Sequence, residues 1–215
     1  MLAHEVRNPL ASLELFAGWL LESRLTGEQR EWLQYMQAGI RTLDATVHNV
    51  LHWHSPCPVN LVSLDFGQWL DQVAGFLSPV AQQAGVQVSL NNHLHGIMAA
   101  ADPHALRQMA LNIALNAYRA MPNGGTLHLY GSVGVENAAD GEISLEFQDS
   151  GAGIAPENLT KIFRGGFSTM SGSPGLGLAV CRTIVERHGG HLSVRNVDTG
   201  GACFRVQLPM IPLLT

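Results

Sequence analysis

The pattern that most constrains this chain is a pair of heptad-spaced helical runs in its first ~50 residues, stopped by Ser55-Pro56-Cys57-Pro58. Apolar or small residues at Leu2, Val6, Pro9, Leu13, Phe16 and Leu20 alternate four and three apart, the seam of a coiled coil, and Leu10, Ala17 and Leu21 widen it. Thr26 with Gln29 is a capping-box pattern that opens a second helix, whose seam Leu33, Met36, Ile40, Leu43, Val47 and Val50 repeats the alternation. A short turn around Leu25 to Gly27 folds the two into an antiparallel hairpin. A hairpin this small can hardly cover both apolar faces by itself. It is expected to form a homodimer through a four-helix bundle; the alternative packs it on the rest of the chain.

Pro56 and Pro58 each remove a backbone donor and turn the preceding residue away from helix, which places the domain boundary there. The expectation is a hairpin over residues 1–54, a linker over 55–60 and a second domain over 61–215. In the second domain the spacing predicts an amphipathic helix near Leu64 to Gln83 and a strand near Val86 to Asn91. Asp102 as N-cap and Pro103 in the first turn open another helix. Strands follow near Thr126 to Val135 and Glu142 to Asp149, then a Gly-rich loop from about Ala155 to Pro174 and a helix from about Leu176 to His188. Strands His191 to Asn196 and Ala202 to Leu208 alternate cleanly. Helices segregated on one face of a mixed sheet make this domain an α+β sandwich.

Composition narrows the function. Apolar residues at 46% and charged residues at 13% describe a globular protein. A net charge of -5 with no Lys/Arg cluster excludes nucleic acid as the main partner. Cys57, Cys181 and Cys203, odd in number and without CxxC spacing, are expected to be thiols in a reducing cytoplasm. No apolar run approaches the ~20 residues of a membrane span, so the chain as it stands is expected to be soluble, with no membrane contact. A helix presenting His4 should extend several turns upstream, so the sequence reads as a fragment whose sensor segment, membrane-bound or not, precedes it.

His4 and Glu5 stand side by side one turn before Pro9. His4 lies about 200° around the helix from both Leu2 and Val6 and so points away from the seam. Pro9 cannot donate to the carbonyl of Glu5, which loosens this turn. Phosphorylating an imidazole nitrogen requires the neutral ring, and a carboxylate on the other nitrogen both orients it and takes its proton, which is the role open to Glu5. As a bare dipeptide it reads more readily as an ordinary surface histidine beside a solvated glutamate, and it is the nucleotide site downstream that reverses this.

Three later segments supply a nucleotide site. Asn112 and Asn116, four residues apart on the helix after Asp102, project together. An asparagine carbonyl is a hard oxygen suited to Mg²⁺, so Asn116 is the candidate metal ligand with Asn112 in support. Both also fit the exposed side of a surface helix, although asparagine is a poor helix former. Period two puts Asp149 on the apolar side of its strand with Ile143, Leu145 and Phe147, where a buried carboxylate needs a fixed donor such as an adenine amino group. Gly151 and Gly153 permit tight turning and close approach to a flat base. Gly175-Leu176-Gly177 opens a helix whose exposed amides favour phosphate. Between them, Phe163 and Phe167 with Gly165, Gly166 and Gly172 have the make-up of a mobile cover.

The segments His4 to Leu10, Asn112 to Ala117, Asp149 to Ile154 and Gly175 to Ala179, in that order, resemble the H, N, G1 and G2 boxes of a sensor histidine kinase, over nearly the whole chain. The resemblance implies a Bergerat ATP-binding fold behind a dimeric four-helix bundle, with ATP and Mg²⁺ as cofactors and a response regulator receiver domain as partner. It implies phosphorylation of His4, a water-positioning role for Asn8 in a second, phosphatase activity, and an approach of Arg119 to the phosphates. The implied nucleotide-binding set is Asn112, Asn116, Arg119, Asp149, Gly151, Gly153, Ile154, Phe163, Thr169, Gly175, Leu176, Gly177 and Leu178. Two departures stand in the lid: Met170 where many relatives carry lysine, and Ser173-Pro174 before Gly175 in place of Gly-Thr. Arg119, Arg164 and Lys161 are then the cations left for the terminal phosphate. Two other readings stay open, a protein acting mainly as a response-regulator phosphatase with weak autokinase activity, and a pseudokinase dimerisation scaffold. His48, His52, His54 and Cys57 have partly helix-compatible ligand spacing, but His54 leaves the face of the other two, so zinc is discounted.

Overall fold

The computed structural model describes residues 59–134, 141–168 and 175–211, together with residues 20, 25–29, 33, 36, 39 and 40. The chain divides into two compact units, residues 1–57 and 58–215. In the first, the capping box forms reciprocally: Thr26 N–H donates to Gln29 Oε1 at 3.1 Å, and Gln29 N–H to Thr26 Oγ1 at 3.3 Å. Residues 27–29 behind it are helical. Leu33 and Ile40, seam positions a heptad apart, are buried, whereas the seam residues Met36 and Leu20 stay 53% and 49% exposed. The remaining seam positions, the His4 to Leu10 turn with Glu5 and Asn8, and the His48, His52, His54 and Cys57 group lie outside the described residues.

The second unit runs β1 (Val62–Asp65), α1 (Phe66–Gln83), β2 (Val86–Asn92), β3 (Met98–Ala101), α2 (Pro103–Ala120), β4 (Gly125–Gly134) and β5 (Glu142–Asp149). A 3₁₀ turn at Pro156–Asn158, α3 (Gly177–Arg187), β6 (His191–Asn196) and β7 (Ala202–Pro209) complete it. A five-stranded sheet has the order β2-β4-β5-β7-β6, with β2 and β4 parallel and the other neighbours antiparallel, so it is mixed. Along β5, Ile143, Leu145, Phe147 and Asp149 are buried and the residues between them are partly exposed. Register sets Phe147 between Leu129 and Phe204, one row of a core that the three helices cover. Trp69, Phe66 and Leu70 of α1 are nearly fully buried. Each such side chain contributes ~1.5–3 kcal/mol of burial free energy. Cys181 and Cys203 are free thiols, and burial pushes them up to about 12 and about 11.

Two elements depart from the sequence pattern. The helix expected from Leu64 starts at Phe66, because Val62 and Leu64 pair with Ala101 and Ala99 in a separate antiparallel ribbon. Asp65 ends that strand and caps α1, its carboxylate accepting from Gln68 N–H at 3.0 Å. The partner strand β3, Met-Ala-Ala-Ala, carries no local strand signal, since alanine favours helix. Pairing with β1, and the Ala100 N–H donating to the Ile211 carbonyl at 2.8 Å, hold it extended.

Candidate nucleotide site

Helix α2 starts where Asp102 and Pro103 direct it: the Asp102 carboxylate accepts from His104 and Ala105 N–H at 3.0 Å each. Leu106, Met109, Ala110, Ile113 and Ala117 are buried as the apolar face requires, but so are Leu111, Ala114 and Tyr118. Asn112 is only 4% exposed and therefore belongs to the interior. Gln108 Nε2 donates to Asn112 Oδ1 at 3.5 Å, and Asn112 Nδ2 donates to the Gly177 carbonyl at 3.4 Å. These partners are what a buried amide needs to avoid its desolvation cost. Cys181 Sγ meets the Met109 carbonyl at 3.5 Å, so α3 lies antiparallel to α2 with Gly177 opposite Asn112. Half-buried Asn116, one helical turn further on, thus stands past the first residue of α3, and exposed Arg119 follows in the last turn of α2.

The end of β5 comes to the same end of α2. A Cβ on Gly151 would lie 2.6 Å from the Ala120 carbonyl, so this contact leaves no room for a side chain. Asp149 is 3% exposed, and its Oδ1 accepts from Gly151 N–H at 2.9 Å and Ala202 N–H at 3.3 Å. Burial raises its carboxyl above the ordinary carboxylate range against the pull of those backbone donors. Gly201 has φ +87°, and a Cβ there would fall 1.9 Å from the Asp149 carbonyl oxygen, so only glycine lets β7 approach this closely. Asn196 holds the next stretch with both ends of its amide: Ile154 N–H donates to Oδ1 at 2.8 Å, and Nδ2 donates to the Ile154 carbonyl at 2.7 Å. A Cβ on Gly153 would sit 3.1 Å from the same Asn196 oxygen.

In the following loop Phe163 packs edge-on to Phe204, ring centroids 6.4 Å apart, and Ile162 is buried beside it in sequence. Lys161 and Arg164 are exposed. Gly166 N–H donates to the Gly175 carbonyl at 3.1 Å, joining the two described ends of the loop around residues 169–174. Gly175 has φ +65° and its Cβ position lies 2.5 Å from the Phe167 carbonyl oxygen, so the junction needs glycine. Among the described residues no side chain caps α3 at Leu176, and first-turn amides such as those near Gly177 and Leu178 are the groups that favour an anion. Thr169, Met170, Ser173 and Pro174 lie outside the described residues.

The structure therefore gathers Asn112, Asn116 and Arg119 from α2, Asp149 to Ile154 from the end of β5, and Gly175 to Leu178 from the start of α3. It adds three residues that sequence reasoning did not single out. Asn196, Gly201 and Ser150, whose Oγ accepts from Thr126 N–H at 3.0 Å, fix the β5 end from behind. A Gly-Gly pair before β7 was a visible signal for Gly201, whereas the partners Ile154 and Asn196 are 42 residues apart and leave no local trace.

A mixed sheet with helices on one face, an acidic residue at a strand end and an asparagine-bearing helix beside an uncapped glycine-rich helix start defines an ATPase-type nucleotide fold. The model of the histidine kinase-, DNA gyrase B- and HSP90-like ATPase family matches residues 101–212, and that of the His Kinase A (phospho-acceptor) domain matches residues 1–55. The chain belongs to the sensor histidine kinases. It is 34% identical over 212 residues to sensor histidine kinase ZraS of Salmonella typhimurium, covering 97% of this chain and 44% of the relative. Sensor protein kinase PilS of Pseudomonas aeruginosa is 30% identical, with 95% and 39% covered. The chain spans under half the length of these relatives. Among solved structures, full-length ShkA in complex with AMPPNP superposes with a TM-score of 0.67 at 29% identity, covering 100% of this chain and 46% of that one. The catalytic domain of histidine kinase ThkA, at 22% identity and TM-score 0.62, covers 72% of this chain and 98% of that one and shares the fold.

Proposed function

We propose that this chain is the core of a sensor histidine kinase that binds Mg-ATP in its second unit and phosphorylates His4. The observation that carries the reading is the convergence of α2, the β5 end and the uncapped α3 start, placed behind a phospho-acceptor match that begins at residue 1. The AMPPNP carried by ShkA supports ATP as the ligand. In this reading Asp149 Oδ2 accepts from the adenine amino group, because both hydrogen bonds it makes among the described residues fall on Oδ1. The amides of Gly175 to Leu178 receive the phosphates, and Phe163, Thr169 and the surrounding loop cover them.

No group of three His, Cys, Asp or Glu side chains is assembled for a metal among the described residues. The candidate for Mg²⁺ is Asn116, whose Oδ1 is one hard protein oxygen for an ion that takes water and phosphate oxygens as most of its ligands. When bound, Mg²⁺ offsets charge on the phosphate oxygens. In the transfer, a His4 ring nitrogen attacks the γ-phosphorus, the N–P bond forms as the bond to the β,γ-bridging oxygen breaks, ADP leaves and Glu5 takes the ring proton. Arg119 in the last turn of α2 is the candidate cation for the phosphates, with exposed Lys161 and Arg164 on the loop as the others. The phosphoryl group then passes to an aspartate of a response regulator receiver domain, and Asn8 positions water when that aspartyl phosphate is hydrolysed.

The first unit is the dimerisation and phosphoacceptor hairpin, and the second is the ATP-binding domain. Exposed Met36 and Leu20, apolar residues of the two seams, support a four-helix bundle between two copies. No helix among the described residues is long and apolar enough to cross a membrane, and the proposed site of action is the cytoplasm. Incubation with γ-labelled ATP is expected to give acid-labile, alkali-stable phosphate that disappears in His4→Gln. Persistent labelling of that variant would refute the assignment.

A further inference from the structure

Away from the nucleotide site, one cluster ties three separated stretches of chain to a single residue. The Asp102 carboxylate accepts from Asn60 N–H at 2.9 Å as well as from His104 and Ala105 in the first turn of α2. Its carbonyl accepts from Leu106 N–H at 3.0 Å, and its own N–H donates to His188 Nε2 at 3.0 Å. His188 ends α3, and its Nδ1 lies 2.8 Å from the Ile184 carbonyl. A carbonyl only accepts, so Nδ1 carries the proton, which leaves Nε2 bare for the Asp102 N–H. Two backbone groups thus fix both the tautomer and the orientation of the ring.

The position of this cluster gives it a purpose. Helices α2 and α3 are tied at two ends: Asp102 to His188 at one, and Asn112 to Gly177 at the other. The two spacings, ten residues along α2 and eleven along α3, each correspond to about 15–17 Å of helix, so the ties hold the pair in one register. At the nucleotide end Asn112 Nδ2 reaches the Gly177 carbonyl at 3.4 Å, whereas the Asp102 to His188 bond is 3.0 Å and belongs to a cap whose backbone N–H and carbonyl are both occupied. The far-end tie therefore contributes to the register of Asn112 and Asn116 against the phosphate turn. Asn60, the third member, stands two residues after Pro58, where the second unit begins.

We infer that Asp102 and His188 are positioning residues that hold α2 in register with the phosphate-binding start of α3, and that Asn60 couples the incoming chain segment to that register. The inference rests on the nucleotide reading above. Its consequence is graded: a shift of α2 moves Asn116 directly, whereas Asp149 keeps its two donors, Gly151 and Ala202, neither of which belongs to α2.

The test uses the full chain. His188→Phe, which keeps a ring and loses the acceptor, is expected to weaken Mg-ATP binding about tenfold with a smaller loss for adenosine, on the scale of one lost hydrogen bond. His188→Gln, whose amide both accepts and donates, restores most of the difference. Unchanged Mg-ATP affinity in His188→Phe, or an equal loss for both ligands, overturns the inference. Wild-type protein that binds neither ligand overturns the nucleotide reading instead, and with it this consequence. Long-range ¹H–¹⁵N spectra of the wild type, which need no variant to fold, should show His188 as the Nδ1–H tautomer; the Nε2–H tautomer sinks the proposal. Saturation with Mg-ATP should slow exchange of the Asn60 amide by at least severalfold, since coupling is reciprocal, and an unchanged rate overturns the role given to Asn60.

Discussion

At Asp149 stability and binding make opposite demands. The carboxylate is buried with two neutral backbone donors and no cation among its hydrogen-bond partners, so the folded state favours its protonated form. With the folded pKa above the unfolded one, the favourable contribution is full below the ordinary carboxylate range and is lost as pH rises through the raised value. Asp149→Asn keeps an oxygen for Gly151 and Ala202 while removing the charge. In the absence of nucleotide this variant is expected to melt above the wild type at pH 7, with the gap closing towards pH 4. ATP binding should fall by roughly 10- to 150-fold, the equivalent of a charge-assisted hydrogen bond of ~1.5–3 kcal/mol. Parallel melts at the two pH values and a nucleotide titration check both halves; a variant that binds ATP normally removes Asp149 from the site. The sequence disclosed that this carboxylate would be buried, because period two runs unbroken from Ile143 to Asp149. It did not disclose the two donors, one of which arrives from Ala202 at the start of β7.

Among the elements, α2 was the most legible, since Asp102, Pro103 and the apolar spacing behind them are local instructions. Burial alone would raise the Asp102 carboxyl, but the Ala105, Asn60 and His104 amides outweigh it and hold the group below its usual range. A depressed carboxyl stabilises the fold above the unfolded pKa of about 3.9 and loses that contribution as pH falls through the lowered value. Asp102→Ala is accordingly expected to cost ~1–2 kcal/mol at pH 7, with the difference from wild type shrinking below about pH 4. Urea melts at pH 7 and pH 3 measure this, and a penalty independent of pH contradicts it. The β1 and β3 ribbon marks the other extreme. Leu64 and Asp65 read as the start of α1, and Met98–Ala101 carries no local strand signal, because the ribbon depends on pairing between stretches far apart in the chain.

For the whole molecule, exposed Leu20 on the first seam and exposed Met36 on the second, which buries Leu33 and Ile40, frame the expectation of a dimer. Met36→Asp should shift the chain to a monomer in sedimentation at micromolar concentration, since a charge replaces an apolar contact worth ~1.5–3 kcal/mol per copy. A variant that stays dimeric would place the interface elsewhere. Patterns that repeat within a few residues were readable from the chain itself: the Thr26 and Gln29 capping box, the Asp102 cap and the strand alternation of β5, β6 and β7 each follow from short-range geometry. The glycines and polar residues proposed for the site were likewise marked out by residue type and order. Only tertiary structure decided that Asn112 is an interior residue tied to Gly177, that Asn196 holds Ile154, and that His188 completes the cap of a helix beginning 86 positions earlier at Asp102. Those contacts depend on which ends of α2, α3 and the sheet meet, and chain packing, not local sequence, brings such distant groups within hydrogen-bond reach.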